Sequence, residues 1–205
     1  TIRLLQSLEG QIALKIAKIE QFRPKVRTRL VKITTDTGIV GWGEATLEGR
    51  PKSTWAAVEE MADYLLGEDP LRIEHHWQNI YRSAFFRGGN VLMSALAGID
   101  QALWDIAGKI SSLPCSQLWG GTVRDTIRTY CHLGGGRLED FYETAVEDAG
   151  RFAELACQAV DNGFTAFKCM AVPPTMPIEG LKPIRAAEAA VRAMREAVGD
   201  SIDIM

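Results

Sequence analysis

No run of lysines or arginines occurs in this chain. Its 23 basic and 26 acidic residues are interspersed and leave a net charge of −3. Nothing in that pattern offers nucleic acid or an anionic membrane a basic face, so neither is expected as a partner. Cysteine is sparse: Cys115, Cys131, Cys157 and Cys169 lie far apart and form no CxxC pair. That spacing speaks against a structural zinc site and fits the reduced thiols of a cytoplasmic protein. No apolar run reaches bilayer length, and the first residues lack a basic-then-apolar leader pattern. The glycine-rich loops that cradle phosphates are missing too, since Gly134-Gly135-Gly136 fits neither GxGxxG nor GxxxxGK. No serine stands in a GxSxG elbow. No group of carboxylates or histidines has metal-ligand spacing.

What the chain does hold is two stretches with different rhythms, and 205 residues are enough to bury a core. Residues 1–11 are set apart as an extension, because periodic sequence begins near Ile12. Ile12–Phe22 and Arg27–Thr35 are rich in β-branched residues. Asp36-Thr37-Gly38 supplies a turn, and Ile39–Glu44 completes a meander of three strands. Ser53 is the expected N-cap of the next helix, which carries Val58, Met61, Ala62 and Leu65 on one face. A second helix is expected over Leu71–Tyr81. The most apolar helix, Val91–Ile110, should lie buried between layers. Strands followed by helices make this part α+β.

After Gly120-Gly121 the order becomes β-α-β-α-β. The expected strands are Thr126–Leu133, Thr165–Met170 and Ser201–Met205, and the helices lie over Leu138–Asp161 and Pro183–Val198. That alternation is the pattern of a parallel sheet or barrel with right-handed crossovers. A full (β/α)₈ barrel needs roughly 200 residues or more. A barrel in this chain is therefore expected to be incomplete, stopping in its third strand.

Chemistry in such folds gathers at the C-terminal ends of strands. Lys168 sits there on an otherwise apolar strand, where an ammonium can stabilise a carboxylate or a developing enolate. A lysine that snorkels to the rim explains its position equally well. His132 ends the preceding strand and can bind substrate or shuttle a proton, although a packed, hydrogen-bonded histidine is the simpler account. Glu44, Glu48 and Arg50 cluster in the loop after the third strand, where an acid beside a guanidinium suits a polar ligand, although a solvated loop is the simpler account. Asp100 and Asp105 fall in the apolar helix, where structural partners explain them better than catalysis. His75 and His76 read as surface or packing residues, and Trp104 and Trp119 as core.

Several segments, in their order, carry a resemblance. They are Thr35-Asp36-Thr37-Gly38-Ile39-Val40-Gly41-Trp42-Gly43-Glu44, Tyr81–Gly89, Met93–Ile106 and Gln117-Leu118-Trp119-Gly120-Gly121. Together they resemble the mandelate racemase and muconate lactonizing enzyme branch of the enolase superfamily, and within it the acid-sugar dehydratases of galactonate, gluconate and mannonate type. The resemblance implies an α+β capping domain at 12–122 followed by the first units of a (β/α) barrel at 123–205. It implies a Mg²⁺-dependent lyase that removes the proton α to a sugar-acid carboxylate and then expels the β-hydroxyl as water. Racemases, epimerases and cycloisomerases of the same branch, or a non-catalytic relative, are the alternatives.

Lys168 matches the first lysine of the family's Lys-x-Lys motif, and Met170 replaces the second, the base of racemase-like members. His132 matches a substrate-binding histidine of the mannonate subgroup, whereas no tyrosine follows Met170 to supply that subgroup's tyrosine. Glu48 and Arg50, with the segment Phe22–Arg27, fall where the cap closes over substrate. By the same resemblance no metal ligand is expected within this chain. The Mg²⁺ carboxylates should follow residue 205, the 205-residue piece should be inactive alone, and the parent is expected to form a homo-oligomer.

Overall fold

Leu30–Thr35 alternates residues that face inward with residues that face out, and this strand organises the first sheet. In the computed structural model, which describes residues 14–24, 28–133, 148–173 and 175–205, strand β2 (Leu30–Thr35) lies between β1 (Ile16–Phe22) and β3 (Val40–Glu44). Both pairings are antiparallel, with Phe22 opposite Leu30 and Leu30 opposite Glu44. Val31, Ile33 and Thr35 of β2 are buried, while Lys32 and Thr34 on the alternate positions are only partly covered. The β2–β3 turn closes at Gly38, whose φ of 84° only glycine adopts readily.

Helix α1 (Pro51–Leu65), α2 (Ile73–Ser83), the 22-residue α3 (Asn90–Ser111) and the short α4 (Cys115–Leu118) complete this unit, which spans Thr1–Val123. Ser53 is not the cap of α1. Arg50 is, because Pro51 at the first helical position has a pre-set φ and no N–H to leave unbonded. The core joins Val31 and Ile33 to Ala95, Ile99, Leu103 and Ile106 of α3 and to Val58 and Leu65 of α1. Burying each large aliphatic side chain contributes roughly 1.5–3 kcal/mol.

His76 is fully buried, with Nδ1 2.9 Å from the Tyr64 hydroxyl and Nε2 2.7 Å from the Asp69 carbonyl, while His75 is exposed. These are packing and surface roles. Trp104 packs against the core, but Trp119 does not belong to it. It stands 64% exposed beyond α4 and touches Trp104 edge-on at 5.4 Å.

The second unit, Arg124–Met205, runs β4 (Cys131–His132), α5 (Ala149–Asp161), β5 (Ala166–Lys168), α6 (Lys182–Val198) and β6 (Asp203–Ile204). The three strands are parallel, in the order β4-β5-β6. Phe167, fully buried, packs with Phe152 and Ala156 of α5 and with Ala190 and Met194 of α6. Asp148 caps α5 by accepting a 2.8 Å bond from the Gly150 amide.

The expected strand over Thr126–Leu133 shortens to Cys131–His132. Among the described residues it has a partner on one side alone, and Thr126–Tyr130 is exposed. Thr165–Met170 shortens in the same way to Ala166–Lys168. The extension at 1–11, the glycine triplet 134–136, residues 138–147 of the expected helix and Lys25–Arg27 lie outside the described residues.

Candidate functional site

The register of the parallel sheet decides what meets at its C-terminal end. Cys131 pairs with Phe167 and His132 with Lys168, so His132 and Lys168 stand side by side on one face. Side chains alternate along a strand, so that face is the one opposite buried Phe167. The ladder continues past both residues, with the Leu133 amide donating to the Lys168 carbonyl at 2.7 Å. Met205 lies across from Lys168, bonded to the Phe167 carbonyl and the Cys169 amide at 2.9 and 3.0 Å. Lys168 is exposed and His132 half-buried. Two cysteines flank this pair, and burial pushes both the Cys131 and the Cys169 thiol above their ordinary value. A thiol held protonated is a poor nucleophile.

The opposite end of the sheet carries a tie that the sequence did not announce. Arg128 donates to the Thr165 hydroxyl at 3.0 Å and to the Thr165 carbonyl at 2.7 Å, and it pairs with Asp203 at 2.6 Å. One guanidinium thus links the segments leading into β4 and β5 to the first residue of β6. The carboxylate inside β6 is committed there, away from Lys168. No local pattern could have shown this, because the partners lie 37 or more residues from Arg128.

Glu48 and Arg50 lie together in the turn between β3 and α1. The Arg50 amide donates to the Leu47 carbonyl at 3.2 Å across Gly49, whose φ of 73° suits the third position of a type II turn. Both side chains are exposed, and the Arg50 guanidinium bonds the Gly49 carbonyl at 2.9 Å. The base of the turn is fixed from the β2 side. The Ala45 amide donates to the Arg29 carbonyl at 2.8 Å, and the Arg29 amide donates to the Thr46 hydroxyl at 2.9 Å. Phe22, at the start of the neighbouring segment, rests on Trp42 with ring centroids 5.5 Å apart.

Helix α3 holds the open edge of β3. Asp105 accepts from the Trp42 amide at 2.9 Å, Gln101 accepts from the Glu44 amide at 3.0 Å, and Lys109 donates to the Val40 carbonyl at 2.6 Å. Asp105 and Lys109 also pair at 2.7 Å. Asp105 therefore has the structural partners expected for an acid in an apolar helix. Asp100 differs: burial, and then the nearby charge of Glu74, raise its carboxyl above the ordinary range. Among the described residues no three His, Cys, Asp or Glu side chains converge as a metal site would require, and no helix is long and apolar enough to cross a membrane.

Comparison with known proteins supplies the context for these geometries. Residues 19–120 match the family model of the mandelate racemase / muconate lactonizing enzyme N-terminal domain. Over 190 residues the chain is 45% identical to D-galactonate dehydratase of Pectobacterium atrosepticum, a match covering 93% of this chain and 47% of that protein. Among solved structures it is similar to a member of the enolase superfamily from Salmonella Typhimurium, at 29% identity and a TM-score of 0.81, over 94% of this chain and 54% of that one. It is likewise similar to a mandelate racemase/muconate lactonizing enzyme from Sulfitobacter sp., at 32% identity and a TM-score of 0.78, over 94% of this chain and 52% of that one. The chain spans about half the length of the relatives it matches.

Proposed function

This chain belongs to the mandelate racemase / muconate lactonizing enzyme branch of the enolase superfamily, and on that premise we propose that the protein it comes from is an acid-sugar dehydratase. The observation that carries this reading is the 45% identity to a D-galactonate dehydratase over 93% of the chain. The reaction would remove the proton α to a sugar-acid carboxylate and expel the β-hydroxyl as water, leaving a 2-keto-3-deoxy acid. That α-proton is very weakly acidic, so positive charge aimed at the carboxylate is what makes its removal feasible. Lys168 is suited to this task, being an exposed ammonium at the C-terminal end of a strand. His132, its neighbour in the register, would bind a substrate hydroxyl or carboxylate oxygen. Met170, two residues beyond Lys168, brings no second ammonium to this strand, which favours dehydration over a two-base racemisation.

Glu48 and Arg50 would contact substrate from the turn after β3, with Arg50 matching a carboxylate or a pair of hydroxyls. The second unit would be the first part of a (β/α) barrel, residues 123–205, and residues 12–122 its cap. The family also implies Mg²⁺. The described residues do not fit that ion, since no three donor side chains gather among them. Its ligands would lie in the part of the parent that this chain does not span, and the roles of Lys168 and His132 do not depend on them. The parent would be a cytoplasmic homo-oligomer.

The reading is tested by incubating the full-length parent with Mg²⁺ and a panel of aldonic and aldaric acids. Formation of a 2-keto-3-deoxy acid from at least one of them is the expected result. No dehydration across the panel would overturn it.

A further inference from the structure

We propose that Gln101, Asp105 and Lys109 of α3 are positioning residues that replace a missing fourth strand along β3 and thereby set where the Glu48–Arg50 turn stands. The proposal rests on the reading that this turn contacts the acid-sugar substrate. Among the described residues strand β3 is the last of its sheet, and the amides of Trp42 and Glu44 and the carbonyl of Val40 point away from β2. An open edge of this kind must be covered or it pairs with other chains.

The cover is a helix, and the two periods match. Two residues of strand advance ~6.7 Å and four residues of helix ~6 Å. Residues 44, 42 and 40 therefore meet residues 101, 105 and 109 in antiparallel order, at 3.0, 2.9 and 2.6 Å. Helix and strand come this close because the facing positions are glycine. A Cβ on Gly43 would overlap the Gly98 carbonyl, and one on Gly41 would overlap the carbonyl of Ala102.

The last rung of this ladder, Gln101 to the Glu44 amide, lies four residues before Glu48. Ala45, the next residue, is buried and bonded to the Arg29 carbonyl. The turn thus hangs from a clamp with Gln101 on one side and Arg29 on the other. Removing the Gln101 carbonyl frees one side, and the substrate contacts at the tip then lose their position.

The test uses the full-length parent with Gln101→Leu, and with Gln101→Glu as the conservative variant that keeps an acceptor oxygen. With D-galactonate as probe, Gln101→Leu should raise KM about fivefold with kcat changed by less than about twofold, the size of one lost hydrogen bond. Gln101→Glu should restore KM. Amide hydrogen exchange over residues 44–50 should accelerate in Gln101→Leu and stay at the wild-type rate in Gln101→Glu. Unchanged exchange in Gln101→Leu overturns the proposal, as does a KM that Gln101→Glu fails to restore. If the parent does not turn over D-galactonate, the exchange result alone decides whether the clamp exists. Arg50→Ala separates the two readings. An unchanged KM there, with exchange accelerated in Gln101→Leu, overturns the substrate role of the turn and leaves the clamp standing.

Discussion

Replacing Gly43 by alanine should destabilise the first unit, although alanine is the better residue for a strand in isolation. The Cβ of alanine would overlap the Gly98 carbonyl and come within 3.0 Å of the Ala102 amide nitrogen. Both are backbone atoms of a 22-residue helix, so no side chain can rotate out of the way. Relief requires α3 to move off the sheet, taking with it Leu103 and Ile106, which pack on Val31 and Ile33. Overpacking of this kind costs about 1–3 kcal/mol, and a clash against backbone belongs near the top of that range. Alanine recovers roughly 0.5–1 kcal/mol of the conformational entropy that glycine loses on folding. The clash wins, leaving a net loss of ~2 kcal/mol, which for a chain of this size lowers Tm by roughly 4–8 °C. Thermal unfolding followed by circular dichroism reads this directly. Gly180→Ala serves as the control, because a Cβ there meets nothing within 4 Å; that variant should be neutral or slightly stabilised. A Gly43→Ala protein as stable as the wild type would show that β3 and α3 are not in backbone contact.

Two further expectations follow from the site and from the helix beneath the turn. Lys168→Met should lower kcat/KM of the parent by about 10²–10³-fold, as loss of a charge-stabilising donor does, while an exposed side chain leaves Tm nearly unchanged; wild-type activity in the variant would remove Lys168 from the site. Asp100→Asn should stabilise the protein at pH 7, because burial and Glu74 raise the carboxyl in the folded state. A raised carboxyl is best tolerated while protonated, so wild-type stability declines as pH rises from the ordinary carboxylate range through the folded-state value. The gain from asparagine, measured by urea unfolding, should therefore be present at pH 7 and vanish below about pH 4; equal gains at both values would contradict the assignment.

Local pattern made some of this legible and long-range pairing hid the rest. The turn Asp36-Thr37-Gly38 and the apolar run in α3 are written in consecutive residues, and both elements form where that pattern puts them. Lys168 stands out in the sequence as the charged residue of an otherwise apolar run, Ala166–Met170, and it closes β5. Its position beside His132 is a matter of register, and register depends on how two strands 36 residues apart align. The clamp on β3 was opaque for the same reason, since Gln101, Asp105 and Lys109 reach residues 57 to 69 positions away. Asp105 was readable as an acid needing a partner, but its partner amide was not. The cap of α1 shows a different failure. Ser53 has the better capping side chain, yet the helix starts at Pro51, three residues earlier than a Ser53 cap would start it, because the proline φ is already helical.

The central claim, that this chain supplies the substrate-facing groups of an acid-sugar dehydratase, meets its most direct test in proton NMR of the full-length parent acting on D-galactonate with Mg²⁺ in D₂O. Dehydration removes the proton at C2 and the hydroxyl at C3, and the enol then takes a deuteron from solvent at C3. The account predicts a 2-keto-3-deoxy acid with one deuterium at C3. Deuterium appearing at C2 of an unchanged or epimerised sugar acid, with no loss of water, would contradict it.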